Sequence, residues 1–262
     1  MGSIEPVLDP AQVQPDRRQH WLERLSIWRA FSVDVETAPQ DENRIFKLGA
    51  VRSSDQRGLT LSASALTAAD VVRKVDELAA DSRLLVGHNL RRHDLIELKR
   101  QYPTLQCTQL PVLDTLELSA IAFPNNPYHR LVKGYKLVSD SKNEPERDAR
   151  ITLDLLVDEI VALEDMWRSD GDWVVLLHFL LRWDGPLCVL LEEIRVSTPP
   201  GTYEAQNIAL RKFEGRCCQT ALRKLTEGFP SMSEEATEAR KALAYALGWI
   251  RVSGGTRYCR SG

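Results

Sequence analysis

Between residues 29 and 168 the hydrophobic period of this chain switches repeatedly between two and about 3.6, and neither an all-helical nor an all-β fold accommodates that alternation. The run RAFSVDVET sets Phe31, Val33 and Val35 against Ser32, Asp34 and Glu36, which predicts a strand with one apolar face. RIFKLGAVR (44–52) and the shorter GLTLSA (58–63) predict two more, joined by short polar turns as in an antiparallel meander. Thr67 then stands where a helix cap belongs, and Val71, Val75 and Leu78 share one face of the helix that follows. RLLVGHN (83–89) is an apolar run of strand length, LRRHDLIELKRQY a helix stopped by Pro103, and VLDTLELSAIAFP a further strand or short helix. From about Glu146 to Trp167, Ala149, Leu153, Leu156, Ile160 and Leu163 recur at spacings of four and three, the pattern of a long amphipathic helix. Three strands followed by alternating helix and strand predict an α/β fold, a mixed sheet flanked by helices.

The flanking segments have a different texture. Residues 1–28, with three prolines and mixed charge, are expected to form an N-terminal arm ending in a short amphipathic piece from His20 to Trp28. Residues 169–262 read as helices alone, in DWVVLLHFLLRW, LCVLLEEI, QNIALRKFEGRCCQTALRKL and SEEATEARKALAYALGWIRV, interrupted by the loop STPPGTYE. This helical appendage contains no motif that dictates chemistry. The closing GGTRYCRSG is polar and uncapped, and the chain is expected to be a piece of something longer.

With 34 Lys+Arg against 37 Asp+Glu, the net charge of −3 excludes a protein whose sole activity is coating polyanions, although a local basic groove remains compatible with it. Hydrophobic residues at 43% and charged residues at 27% exclude disorder throughout. No apolar stretch reaches the roughly 18 residues of a membrane span, and the first residues lack the basic-then-apolar order of a secretory signal. A cytoplasmic location without a membrane partner is therefore expected. The five cysteines form no CxxC pair, which argues against a disulfide framework or a zinc cage, and adjacent Cys217 and Cys218 are expected to be buried thiols.

Asp34 and Glu36 lie two residues apart in a strand, so both project from one face about 7 Å apart at the backbone. Alone, such a pair is most simply a solvated polar edge. Here two further acids fall at element starts: Asp94 in the first turn of the helix after LLVGHN, and Asp148 in the first turn of the long helix. Either one by itself is an ordinary helix N-terminal charge that complements the dipole. Together, four acids without a cysteine or histidine cage favour hard divalent cations, two Mg²⁺ or Mn²⁺ ions. Such paired ions clamp the attacking and leaving oxygens in phosphodiester cleavage.

SVDVETAP, VGHNLRRHDL and NEPERDARITLDLL, in that order, resemble the three motifs of the DEDD exonucleases, the DnaQ-like 3′ to 5′ family on an RNase H-like fold. The resemblance covers roughly residues 29 to 165. It implies that Asp34, Glu36, Asp94 and Asp148 are the catalytic metal ligands and that Asn89 helps to position the substrate strand. For Asn89 the residues alone also allow a cap at a strand-to-helix junction. One departure stands out. One branch of the family carries a histidine five residues before its last aspartate, where this chain has Asn143, and the other a tyrosine four before, where it has Glu144. An asparagine cannot accept a proton at neutral pH, so the family's usual general base is missing. His129 is the nearest candidate replacement, with a substrate contact as its other reading, and His93 beside Asp94 reads equally well as a packing residue.

Between Tyr128 and Lys142, Arg130, Lys133, Lys136 and Lys142 face a single Asp140, with Tyr128, His129 and Tyr135 interleaved. Basic groups for phosphates and aromatics for stacking are what a single-strand groove requires, and Arg91 and Arg92 are placed to add to it. The plainer alternative is a solvated basic loop. More weakly, YHRLVKGYKL and the later FEGRCCQTALRKL and ALAYALGWIRVSGG resemble the amino-terminal part of bacterial RecQ-like helicases that carry an exonuclease domain, but no GxxxxGK[ST] phosphate loop occurs in this chain. Three functions follow as expectations: a two-metal exonuclease on single-stranded DNA 3′ ends, a nuclease-like module without turnover that holds nucleic acid for a helicase, or an interaction protein working through its helical block. The boundaries expected are 1–28, 29–168 and 169–262.

Overall fold

The structure, a computed structural model, describes residues 15–126 and 144–253. It is the α/β fold that the alternating periods predict, a five-stranded mixed sheet with helices against it and a helical C-terminal region. The strands are β1 (Ala30–Ala38), β2 (Arg44–Arg52), β3 (Gly58–Ser62), β4 (Leu84–Gly87) and β5 (Val112–Asp114). Their order is β3-β2-β1-β4-β5, with the first three antiparallel and β4 and β5 parallel to β1. The hairpins make the antiparallel half; the parallel half needs crossovers, which helices supply. Helix α1 (Pro15–Ile27) precedes the sheet, α2 (Ala68–Ala79) and α3 (Asp94–Gln101) flank β4 in sequence, and α4 (Thr115–Ala122) follows β5 directly.

Alternation along β1 sorts its side chains. Phe31, Val33 and Val35 join Leu48, Ala50, Leu85, the α2 stripe of Val71, Val75 and Leu78, and Leu98 of α3 in one apolar cluster. Ser32, Asp34 and Glu36 point to the opposite face. Thr67 caps α2 as expected, its hydroxyl accepting from the Asp70 amide at 3.1 Å.

Three expectations need correction. The amphipathic piece placed at His20 begins at Pro15 and is a packed helix: Trp21 and Leu25 are buried, and Arg18 pairs with Asp158. The helix expected from Leu90 begins only at Asp94, because residues 88–93 are held in a turn described below. Cys217 is half-buried and Cys218 exposed, since they precede α9 (Gln219–Glu227) in a loop rather than on an apolar face.

The long helix α5 (Pro145–Ser169) begins one residue before the expected Glu146 and extends two beyond Trp167. Two compact units divide the chain, with the boundaries inside α4 and α5: residues 1–119 with 128–161, and 120–127 with 162–262. In the second unit α6 (Gly171–Leu181) has nine consecutive buried residues, so it is the central helix, apolar on every side. The remaining helices of this unit are α7 (Gly185–Arg195), α8 (Thr202–Lys212), α9 and α10 (Thr237–Ser253). Asp170 caps the start of α6 and pairs with Lys212 and Arg251, while buried Arg240 donates to the carbonyls of Phe179 and Leu180 at its end. One amide at the start of this buried helix and two carbonyls at its end thereby gain partners. No helix among the described residues is long and apolar enough to cross a membrane.

Candidate active site

Carboxylate oxygens of Asp34, Glu36 and Asp148 lie within 4.8 Å of one another, all three side chains half-buried. Residues 112 positions apart in sequence are thus brought together by two local features. The first is β1, whose pleat puts Asp34 and Glu36 side by side; the sheet register shifts just beyond Glu36, a bulge of the kind that re-aims side chains beside functional sites. The second is Gly49. It stands opposite Asp34 in the β1–β2 register, and a Cβ built there would lie 2.0 Å from the Glu146 amide nitrogen and 2.1 Å from the Pro145 carbonyl carbon. Only a residue without a side chain lets the first turn of α5, which carries Asp148, come so near β1. Glu146 and Arg150 fasten that turn to the hairpin: Thr60 donates to Glu146 at 3.3 Å, and Arg150 bonds Glu146 at 2.8 Å and the Gln56 carbonyl at 3.0 Å.

Asp94, the fourth expected ligand, is outside the trio's 4.8 Å group but near enough to Glu36 and Asp114 for their charges to act on it. Its carboxyl is buried and accepts from His93 Nδ1 at 2.6 Å. Burial is the main reason its pKa is raised to about 6, with Asp114 and Glu36 adding to the rise and His93 opposing it. His93, which from sequence reads equally well as a packing residue, is the hydrogen-bond partner of this acid. A buried carboxyl whose ionised form is disfavoured beside other acids is an environment that a cation would relieve.

Asn89 occupies the turn before α3 with φ of +62°, a left-handed conformation that asparagine tolerates better than most residues. Its backbone N–H is used by Asp114 at 2.9 Å, and its carboxamide has no partner among the described residues. Arg91, expected to join a nucleic-acid groove, is half-buried, donates to the Val112 carbonyl at 2.6 Å and pairs with Glu117 at 3.4 Å, while Arg92 is exposed. His129, Arg130, Lys133, Lys136 and Asn143, with Tyr128, Tyr135 and Lys142, lie outside the described residues.

Sequence reasoning passed over Gly49 and Asp114. A lone glycine in the apolar run RIFKLGAVR signals close backbone approach, and an acid at the end of a buried strand signals a polar partner, so both left traces. It also missed a second grouping, His178, Cys188 and Glu192, whose ligand atoms lie within 4.8 Å. There, Arg195 approaches His178 Nδ1 at 2.5 Å, and since a guanidinium only donates, Nδ1 accepts and Nε2 carries the proton, facing Cys188 Sγ at 3.6 Å. Burial, with the Glu192 carboxylate next, pushes the Cys188 thiol up to about 11. A protonated Nε2, a thiol and a nearby guanidinium make this a packed hydrogen-bond cluster rather than a cation site.

The fold and site define an α/β protein with an acidic cluster on one face of the central strand of its sheet. No protein-family model and no curated protein matches the chain.

Proposed function

We propose that this chain is a metal-dependent 3′ to 5′ exonuclease acting on single-stranded DNA ends. The observation that carries the reading is the convergence of Asp34, Glu36 and Asp148 within 4.8 Å, beside buried Asp94. An all-oxygen donor set of this kind fits Mg²⁺ or Mn²⁺. Two such ions, when bound, activate a water and neutralise charge on the attacking and leaving oxygens. Asp34 would be shared by the two ions, with Glu36 and Asp148 holding one and Asp94 supporting the other. Asn89 offers its free carboxamide to the end of the strand, and the basic, aromatic stretch with Arg130, Lys133 and Lys136 holds the strand's phosphates and bases. With Asn143 where the family's histidine would stand, no side chain at that position takes the proton from the water, and His129 is the residue to test in its place. By the wider resemblance a helicase is the partner.

A second reading is favoured by Asn143: a nuclease-like module that grips a DNA end without turning it over. Incubation with 3′-labelled and 5′-labelled single strands plus Mn²⁺ separates the two. Stepwise shortening from the 3′ end that disappears in Asp34→Ala and Asp148→Ala is the expected result, with Mn²⁺ binding lost alongside. Tight binding of intact strands by the wild type establishes the second reading. Unchanged Mn²⁺ affinity in Asp34→Ala overturns the site assignment.

A further inference from the structure

We infer that Asp114 is a positioning residue for Asp94, its buried carboxylate holding the backbone turn from which Asp94 projects. The inference rests on the metal-site reading above and extends it to a residue outside the acidic group.

Asp114 ends β5, paired in parallel register with Gly87 at the end of β4, and is 4% exposed. Both of its oxygens are used, and all three donors are main-chain amides. Oδ1 accepts from Asn89 at 2.9 Å and from Leu116 at 3.0 Å, and Oδ2 accepts from Arg91 at 2.9 Å. Two of these amides belong to the turn that leaves β4 and the third to the first turn of α4, so one side chain ties the ends of two neighbouring parallel strands. Charged acceptors make hydrogen bonds about twice as strong as neutral ones, and these are screened from water by burial. The turn they fix includes the left-handed Asn89, a conformation that surrounding structure has to impose. Thr115 adds a second tie beside the first, its hydroxyl 2.9 Å from His88 Nδ1 and donating to the Gly87 carbonyl at 3.3 Å.

The consequence for Asp94 is geometric. His93 donates no side-chain cap to α3, and its own amide bonds the Asn89 carbonyl at 3.1 Å, so the start of α3 is registered through the turn. Releasing the Asn89 and Arg91 amides frees Asp94 to turn away from Glu36, while Asp34, Glu36 and Asp148, held by β1 and by the Gly49 contact, keep their places. Three of the roughly four acceptor sites of the Asp114 carboxylate are taken by main-chain amides, and Asp114 is not among the acids that converge with Asp34, which separates its role from that of a ligand.

The test uses the full chain and Mn²⁺ alone. Calorimetry on the wild type should show two ions, and the control Asp94→Ala one. Asp114→Ala should weaken the second ion about 10- to 100-fold, the usual effect of removing an outer-shell partner, and leave the first unchanged. Asp114→Asn keeps Oδ1 for Asn89 and Leu116 but turns a donor toward the Arg91 amide, and should fall between; it serves alone if the alanine variant does not fold. In the metal-free protein, hydrogen exchange at Asn89, Arg91 and Leu116 should accelerate in the variants, with Val33 and Val35 in β1 unaffected. Equal weakening of both ions, or no weakening of the second while Asp94→Ala loses it, overturns the positioning role alone. A wild type that binds no Mn²⁺, or an Asp94→Ala that still binds two, overturns the site reading and this inference with it.

Discussion

Gly49 faces the first turn of α5 across a gap that one methyl group would overfill, and the atoms it would meet are backbone, which cannot rotate away. In an open strand, replacing glycine with alanine helps by roughly 0.5–1 kcal/mol. Here the overpacking cost of about 1–3 kcal/mol exceeds that gain, and relief requires the Pro145–Glu146 backbone to retreat. Asp148 lies within the same turn and retreats with it. Gly49→Ala should therefore lower Mn²⁺ affinity and any cleavage, the latter by about the 10²-fold expected of a misplacement near 1 Å, while circular dichroism still reports the folded chain. Gly185 is the matching control: it has no atom within 4 Å of a built Cβ, so Gly185→Ala should leave metal binding as it was. Equal metal affinity in the two variants would show that α5 reaches β1 without help from Gly49.

At the level of elements, the helix that runs through the second unit carries a proton-sensitive group. His178 on α6 is buried, with Arg195 on Nδ1 and Cys188 and Glu192 on its other side. Burial, and then repulsion by Arg195, lowers its pKa to about 4 from the ordinary 6.5. The unfolded chain takes up this proton as pH falls through 6.5, but the native chain resists until about 4, so stability is lost progressively across that window and is unaffected above it. The loss should be on the order of 1–3 kcal/mol. Urea unfolding at pH 7 and 4.5 should show a smaller drop for His178→Gln than for wild type; parallel drops would place the acid sensitivity elsewhere. No periodicity predicted this group, and the reason is general. The strands, α2 with its Thr67 cap and the α5 stripe were legible because period and capping are local properties of a few consecutive residues. Asp34 and Glu36 were legible as a pair for the same reason. The turn at residues 88–93 was not, because Asp114 bonds its amides from 23 and 25 positions away, nor was the close approach that brings Asp148 to β1. The packing of α1 depended likewise on a distant partner, Asp158.

For the whole molecule, the net charge of −3 means that the nucleic-acid strand of the proposed function would have to be held by a local concentration of positive charge rather than by the overall field. One such concentration is Arg130, Lys133, Lys136 and Lys142 within 13 consecutive residues, close in sequence to the α5 turn that carries Asp148. A cation that neutralises a phosphate releases condensed counterions, and for single strands log K falls with log salt by about 0.7 per phosphate neutralised. Lys133→Glu with Lys136→Glu removes two such contacts, so the salt slope should flatten by about 1.4, and affinity at low salt should fall most. Reversal rather than deletion of charge adds repulsion, which deepens the loss of affinity without adding counterion release. Mn²⁺ affinity should stay as it is, because neither lysine belongs to the acidic cluster to which the proposed function assigns the ion. Fluorescence anisotropy of a labelled single strand over a salt series measures the slope directly, and calorimetry supplies the metal control. An unaltered slope in the double variant would take the strand off this segment, whereas a flattened slope with weakened Mn²⁺ binding would mean that the two lysines support the acidic centre itself.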